Sequence, residues 1–519
     1  MPDAHRPRSG RRYIGASRLL VPSRMNSPSP TERFSTDRPL EAERPRCVGP
    51  ILFARGARSD ECRLTALLVL GEGDAPPVLR GPRGEAKPAR LHQFFGWTAW
   101  GYDFALPAEA GASYALGDRA FAVAADMTGD IRVAFASCNG QEAGDGERPL
   151  DERNHMWRRL ALEHRTRPFS LLIQGGDQLY ADEAMFCHPA LARWAKASLA
   201  EKPDIAFTPE MREAARRWYA ERYVKLAAEP AMAEVVARVP SLMMWDDHDI
   251  MDGWGSHPPE LQTSPVGQGL FAVAREMFML FQLGIAPDGV SPLAPDPEGL
   301  SFTLGAAFPR LRVLLPDLRS ERRLTRVMGP AGWRAFERTL ASVREGERVL
   351  VVSTVPVLGP RLSLVERLMN RMPGTQDYED DLRDQWQSHA HRVEWRDFLE
   401  CLERLAVDDG AQVTVLSGEI HLAARGTMPF REGGGDLHQL VASGITHPEP
   451  SALYAKALGL LARFGEAPIK GCPIRMRPLP GKRAVYTAER NYLVLERRAE
   501  RWTAEWELEK SGRSPPLEI

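Results

Sequence analysis

The run Phe169-Ser170-Leu171-Leu172-Ile173-Gln174 stops abruptly at Gly175-Gly176-Asp177, with Tyr180 three residues further on, and it constrains what this chain can fold into more than any other stretch. An apolar run that ends at paired glycines reads as a buried strand whose exit turns sharply. In α/β proteins such exits, at the carboxyl edge of a sheet, are where ligands are held. Taken alone, Asp177 reads as a turn cap and Tyr180 as a surface aromatic. Three other apolar runs end in the same manner. Ile131 to Ser137 leads into Cys138-Asn139-Gly140, Ser241 to Trp245 into Asp246-Asp247-His248-Asp249, and Val413 to Gly418 into Glu419-Ile420-His421. Thiol, phenol, carboxylate and imidazole groups delivered from four strand ends suit a pair of hard divalent or trivalent ions better than a structural zinc site. The chain therefore reads as a metallo-hydrolase.

A chain of 519 residues, 43% of them hydrophobic, buries a large core and exceeds one ordinary domain. The net charge of −2, from 67 basic and 69 acidic residues, excludes a global field toward nucleic acid or an anionic membrane and leaves only local patches for phosphate. Six scattered cysteines without a C-x-x-C pair favour a reducing compartment. Arg11-Arg12 are followed by too short and too charged a stretch for an export signal, and no run of about 18 apolar residues predicts a membrane span. The expected location is cytoplasmic. Residues 1–46, rich in Pro, Ser and Arg, are expected to be a disordered tail.

Short apolar runs punctuated by turn residues predict a small β-sandwich domain over residues 47–128, with Trp97 and Trp100 as packing residues. Strands and helices then alternate over 129–450, the predicted catalytic domain. Its first helix is expected at Glu152 to Arg165 with Met156, Leu160 and Leu162 inside. A helix near Ala452 to Arg463 and a hairpin of Tyr492 to Glu496 with Trp502 to Leu508 are expected to complete that domain over 451–519.

Gly176-Asp177-x-x-Tyr180, a strand-end Asp-His pair and a Gly-x-x-His together resemble the calcineurin-like metallophosphoesterases. The Cys138 strand and Trp245-Asp246-Asp247-His248-Asp249 resemble more narrowly the alkaline phosphatase D family, as do Asp317-Leu318-Arg319 and Asp384-Gln385-Trp386 followed by Arg392. The similarity spans roughly residues 130 to 447. It implies a two-sheet sandwich flanked by helices, with the site at the strand ends along one edge. It also implies iron, as Fe3+, on Cys138 and Tyr180, and calcium on the second site, with zinc or manganese as alternatives. Where the family has Gly-Asp-x-His, this chain has Gly418-Glu419-Ile420-His421.

Asp177 has the type and place to bridge two metals, since a carboxylate offers two oxygens and a strand end holds it rigidly. Cys138 and Tyr180 select an oxidised iron, Asp246 or Asp247 the second ion, and alternation along the strand is expected to send those neighbours to opposite sides. Asp247 is taken as the ligand, Asp246 and His248 as the catalytic pair. Glu419 and His421, two apart, share one face if the strand continues that far, and both are then expected to reach the metals. His257, Arg319 and His447 are weaker candidates for phosphate contact. The expected activity is hydrolysis of a small phosphate mono- or diester. Two other classes stay open: a thiol hydrolase built on Cys138, and a degenerate scaffold that binds phosphorylated partners without turnover, to which Glu419 points.

Overall fold

A computed structural model describes residues 45–140, 148–360, 384–431 and 435–519. The tail expected at 1–46 lies, except for Pro45 and Arg46, outside the described residues, as does most of the loop before Asp384.

Before residue 130 the chain forms β1 (Cys47–Ala57), β2 (Glu61–Gly71), β3 (Leu79–Gly81), β4 (Gly84–Ala86), β5 (Ala89–Phe94), β6 (Trp97–Pro107), β7 (Ser113–Leu116) and β8 (Arg119–Ala122). There follow β9 (Ile131–Ala136), β10 (Leu171–Gly175), β11 (Ser241–Met244), β12 (Leu304–Phe308), β13 (Leu311–Leu315), β14 (Arg348–Val352) and β15 (Gln412–Ser417). The last are β16 (Ala423–Pro429), β17 (Asp436–Val441), β18 (Arg475–Arg477), β19 (Tyr486–Thr487), β20 (Asn491–Arg498) and β21 (Arg501–Leu508), with two short edge strands beyond.

Two large sheets result. One runs β21-β20-β9-β10-β11-β1-β2-β6-β5, the other β12-β13-β14-β15-β17-β16-β18. Their facing is read from side-chain alternation, because neighbours on a strand point to opposite sides. In β14, Leu350 and Val352 join the core shared with Phe135, Ile173 and Leu242 of the first sheet. Val349 and Val351 instead join Phe336, Trp395 and Phe398 of the helices Pro330–Leu340 and Arg392–Val407 on the outer face. Each such large apolar side chain, fully withdrawn from water, contributes about 1.5–3 kcal/mol. The result is a helix-flanked two-sheet sandwich, as the resemblance implied.

The small sheet β4-β3-β7-β8 closes a core of its own with β1, β2 and β6, lined by Leu52, Leu68, Tyr102, Tyr114 and Phe121. The residues expected to form a separate unit at 47–128 nevertheless share a sheet with the rest, since β1 lies parallel to β11 with Phe53 opposite Ser241. No local pattern announces a pairing across almost 200 residues. The terminal hairpin attaches at the other side, β20 antiparallel to β9.

The helix expected from Glu152 forms over His155–Thr166, but its phase differs from the expectation. Met156, Trp157, Leu160, Ala161 and His164 make the buried stripe, and Leu162, on the opposite side, is 58% exposed. His164 accepts a hydrogen bond from the Phe169 amide at its Nδ1 (3.1 Å), and burial, helped by Arg238, pulls its pKa down to about 4 from 6.5. A depressed imidazole contributes stability fully above about pH 6.5 and loses it as pH falls toward 4, because there the unfolded chain takes up a proton that the fold refuses. The denaturant midpoint should therefore drop across that window, and His164→Asn should remove about 1–2 kcal/mol of the drop. An unchanged pH slope in the variant would exclude this role.

Candidate metal centre

The exits of β9, β10, β11 and β15 meet at one edge of the sandwich. Gly176 is left-handed (φ +99°), and a Cβ there would stand 2.8 Å from Cβ of Asp246 at the neighbouring strand exit and 3.1 Å from Cγ2 of Thr354 beyond β14 of the other sheet; at Gly418 it would overlap Ser137. Only glycine lets the two sheets approach so closely. The β9 and β10 exits are joined by Cys138 N–H to Gly176 O (3.1 Å) and Asn139 N–H to Asp177 O (2.8 Å).

Among the described residues eight non-glycine positions have positive φ, and four of them are Cys138 (+55°), Asp177 (+55°), Glu419 (+64°) and His421 (+52°). Each such backbone costs on the order of 1 kcal/mol and persists where surrounding structure fixes it. The turn also corrects an expectation. β15 ends at Ser417, so Glu419 and His421 do not share a strand face; the left-handed residues send them apart. His421 joins Cys138 and Asp177, whereas Glu419 Oε1 accepts from Gln385 Nε2 at 2.7 Å.

On one side, Cys138, Asp177 and His421 offer ligand atoms within 4.8 Å of one another. Cys138 Sγ lies 3.3 Å from Asp177 Oδ2 and 3.0 Å from Ser443 Oγ. The Tyr180 hydroxyl is 2.9 Å from His421 Nε2, and the His447 ring stacks on His421 at 3.5 Å. Burial, and then the Asp177 charge, push the Cys138 thiol well up. Enclosure, with His447 and His248 nearby, pulls His421 well down, leaving the neutral imidazole that ligates metals.

On the other side, Asp177, Asp246 and Asp247 form a second grouping within the same 4.8 Å, so Asp177 belongs to both. Asp246 Oδ1 accepts from Arg319 Nε and from Thr354 Oγ1 (2.9 Å); Asp247 Oδ2 accepts from Gly253 N–H (2.9 Å). β11 ends at Met244, so strand alternation does not separate the two acids. Asp246, expected to be catalytic, stands in a ligand's setting. Four enclosed oxygens have no hydrogen-bond partner among the described residues: Asp177 Oδ1, Asp246 Oδ2, Asp247 Oδ1 and Glu419 Oε2. Asp247 Oδ1 lies 3.2 Å from the Arg319 guanidinium. Burial raises Asp177 well above the carboxylate range, with Asp247 adding to it, and lifts Asp246 to about 6 against the pull of Arg319. Glu419 is raised well above its ordinary value by burial and by Asp384. Buried carboxylates with unsatisfied oxygens and mutually raised pKa values call for cations, and this donor set fits a metal pair.

His248 is half-buried, its ring stacked on Tyr180 at 4.3 Å and its Nδ1 3.1 Å from both carboxyl oxygens of Asp182. Enclosure opposes its proton, but Asp182 and Asp247 outweigh that and raise its pKa well above 6.5. His257, on the rim, bonds the Asp252 carbonyl through Nε2 at 2.7 Å. Arg319 has no free face for phosphate: it is fully buried, bonded to Asp246, and forked onto Asp384 by two 2.7 Å bonds.

Three residues with no expected role hold the site together. Asp249 accepts from the Asp246 amide (2.9 Å), the Leu179 amide (2.9 Å) and Gln282 (2.8 Å), tying the β10 exit to the β11 exit; burial lifts it to about 7. Ser443 bonds Cys138 and the His421 amide, and Thr354 bonds Asp246. Asp249 was visible in the Asp-Asp-His-Asp cluster, whereas Ser443 and Thr354 reach the site from distant strands without local signal.

A two-sheet α/β sandwich with thiol, phenol, imidazole and carboxylates gathered at one edge defines a metallophosphatase-type protein. Residues 115–376, just over half of the chain, match the family model described as PhoD related phosphatase, and the chain belongs to that family. It is 23% identical over 362 residues to the uncharacterized protein YGR266W of Saccharomyces cerevisiae, covering 58% of this chain and 51% of that protein. The chain thus spans about half the length of that curated relative. The solved structure of PhoD superposes with a TM-score of 0.53 at 12% identity, covering 93% of this chain and 90% of that one. Purple acid phosphatase PPD1 of yellow lupin (Lupinus luteus) gives 0.49 at 12% identity, covering 91% and 73%.

Proposed function

We propose that this protein hydrolyses phosphate mono- or diesters with two cations, one held by Cys138, Asp177, Tyr180 and His421, the other by Asp177, Asp246 and Asp247 with Glu419 adjoining. The observation that carries this reading is Asp177, shared by both groupings and buried with one oxygen unpartnered among the described residues. When bound, such ions neutralise the phosphoryl oxygens and make water nucleophilic near neutral pH. His248, oriented by Asp182, holds a proton for the leaving oxygen. A phenol beside a thiol supports ferric iron in the first site; all-oxygen donors support calcium in the second, with zinc or manganese as alternatives. A thiol-hydrolase reading has little support, because the Cys138 sulfur is buried and its pKa raised, the reverse of an activated nucleophile.

The purified protein, supplied with iron and calcium, should hydrolyse p-nitrophenyl phosphate or bis-p-nitrophenyl phosphate at neutral to alkaline pH, lose activity to a chelator and regain it on reloading. Tyr180→Phe should bleach the visible charge-transfer band and lower iron retention and turnover about 10–100-fold. No turnover above blank with any of the four metals would reject the enzyme and favour the scaffold. A colourless, active protein loaded with zinc or manganese would keep the activity and remove the iron.

A further inference from the structure

Among the described residues ten large apolar side chains are exposed, and six of them lie outside residues 452–464. The other four, Leu453 (74%), Tyr454 (52%), Leu460 (56%) and Phe464 (61%), lie on the helix Ala452–Leu461 and the 3-10 turn Ala462–Phe464 that follows. At about 100° per residue, Leu453, Ala457 and Leu460 fall in one stripe, with Phe464 at its end and Lys456 and Arg463 along one side. The opposite face, Ala455, Leu458 and Ala462, packs on Leu422, Ala424, Val441 and Tyr486. Ile420, between Glu419 and His421, packs in that same cluster, so the helix leans on the loop that carries two residues of the metal centre. A contiguous exposed apolar stripe marks an interaction surface.

The charge of the segment that carries the stripe selects its occupant. From residue 451 to 483 the chain carries Lys456, Arg463, Lys470, Arg475, Arg477, Lys482 and Arg483 against one acid, Glu466, which is buried against Arg392 (2.5 Å). Seven cations and one anion make a local charge of +6 in a chain whose net charge is −2. Lys482 is paired with Glu489, and the exposed Arg475 and Arg477 lie on β18 at the sheet's outer edge. A symmetric dimer through this face would bring the Lys456 and Arg463 cations of both copies into one interface. A surface of anionic headgroups over acyl chains complements both the cations and the apolar stripe. We infer that the helix Ala452–Leu461, with Phe464 and the flanking cations, docks the protein on an anionic lipid surface. No helix among the described residues is long and apolar enough to cross a membrane.

Sedimentation with vesicles tests this on the full chain, with thermal melting as the folding control. The protein should pellet with vesicles of phosphatidylcholine containing about one third phosphatidylglycerol, far less with phosphatidylcholine alone, and less again at high salt. Leu453→Ser combined with Leu460→Ser and Phe464→Ser should lower the partition coefficient at least tenfold. So should Lys456→Glu with Arg463→Glu, which touches only exposed positions and keeps the test decisive if the apolar variant misfolds. The inference is overturned if the wild type stays in the supernatant, binds neutral vesicles equally, or binds unchanged after charge reversal. It is also overturned if sedimentation shows a dimer that the apolar variant dissolves without any lipid effect.

Discussion

Asp177→Asn should abolish ester hydrolysis while leaving the metal-free protein as stable as the wild type or more so. The two effects have opposite signs because they come from one charge. In the fold, Asp177 is 1% exposed, its Oδ1 has no hydrogen-bond partner among the described residues and its Oδ2 faces the Cys138 thiol. Burial and the neighbouring Asp247 push its pKa well up, so without cations the ionised form is a burden on the native state. Asparagine keeps the shape and removes that burden. The same substitution removes the anionic oxygen common to the Cys138–His421 grouping and the Asp246–Asp247 grouping. Metal content should fall, and turnover should drop on the order of 10³-fold or more, as when one member of an interdependent catalytic set is lost. Melting of chelated protein, elemental analysis and turnover of a soluble ester check the three parts. A variant with wild-type metal content and activity would remove Asp177 from the centre.

The parts of the site that were legible in the sequence are those carried by continuous apolar strands. Leu171-Leu172-Ile173 lies between two parallel neighbours and is buried on both faces, so the run is unbroken and its end is sharp. That end located Asp177 and Tyr180, and the same logic located Cys138, Asp246, Asp247 and His421. Beyond the strand ends the alternation loses its meaning, because the backbone leaves the extended region. Strand alternation puts Glu419 and His421 on one face only if β15 continues to them, but it ends at Ser417 and two left-handed residues in three follow. Arg319 shows the other limit. Nothing local distinguishes a buried arginine from a surface one; its burial depends on carboxylates from residues 246, 247 and 384 converging on it. Likewise the joining of β1 to β11 is nonlocal, and the phase of the helix His155–Thr166 depends on Trp157, whose burial outweighs that of Leu162.

Arg319→Met should destabilise the protein by about 3–5 kcal/mol at neutral pH, the typical cost of removing one partner from a buried ion cluster. The guanidinium is fully enclosed, bonded to Asp246, forked onto Asp384, and held at the Trp254 carbonyl (3.1 Å). Methionine fills much of the volume but strands the acids. Burial alone raises Asp384, yet Arg319 and Arg322 overcome it and hold its pKa well below the ordinary carboxylate range. A carboxylate depressed in this way contributes stability above its unfolded pKa, about 3.9, and loses it as pH falls below that value. The gap between wild type and variant should therefore be widest at neutral pH and narrow in acid, where the stranded acids protonate. Arg319→Lys should not rescue, since one ammonium cannot fork onto Asp384 and also reach Asp246. Arg319→Met combined with Asp384→Asn should cost less than the sum of the two single changes, because the second removes a charge that the first left unpaired. Denaturant unfolding of chelated protein, read at neutral and acid pH, measures all four. Additive losses, or a neutral-pH midpoint unmoved by Arg319→Met, would mean that the arginine does not hold the acids in place, and that the cations alone set the geometry of Asp246 and Asp247.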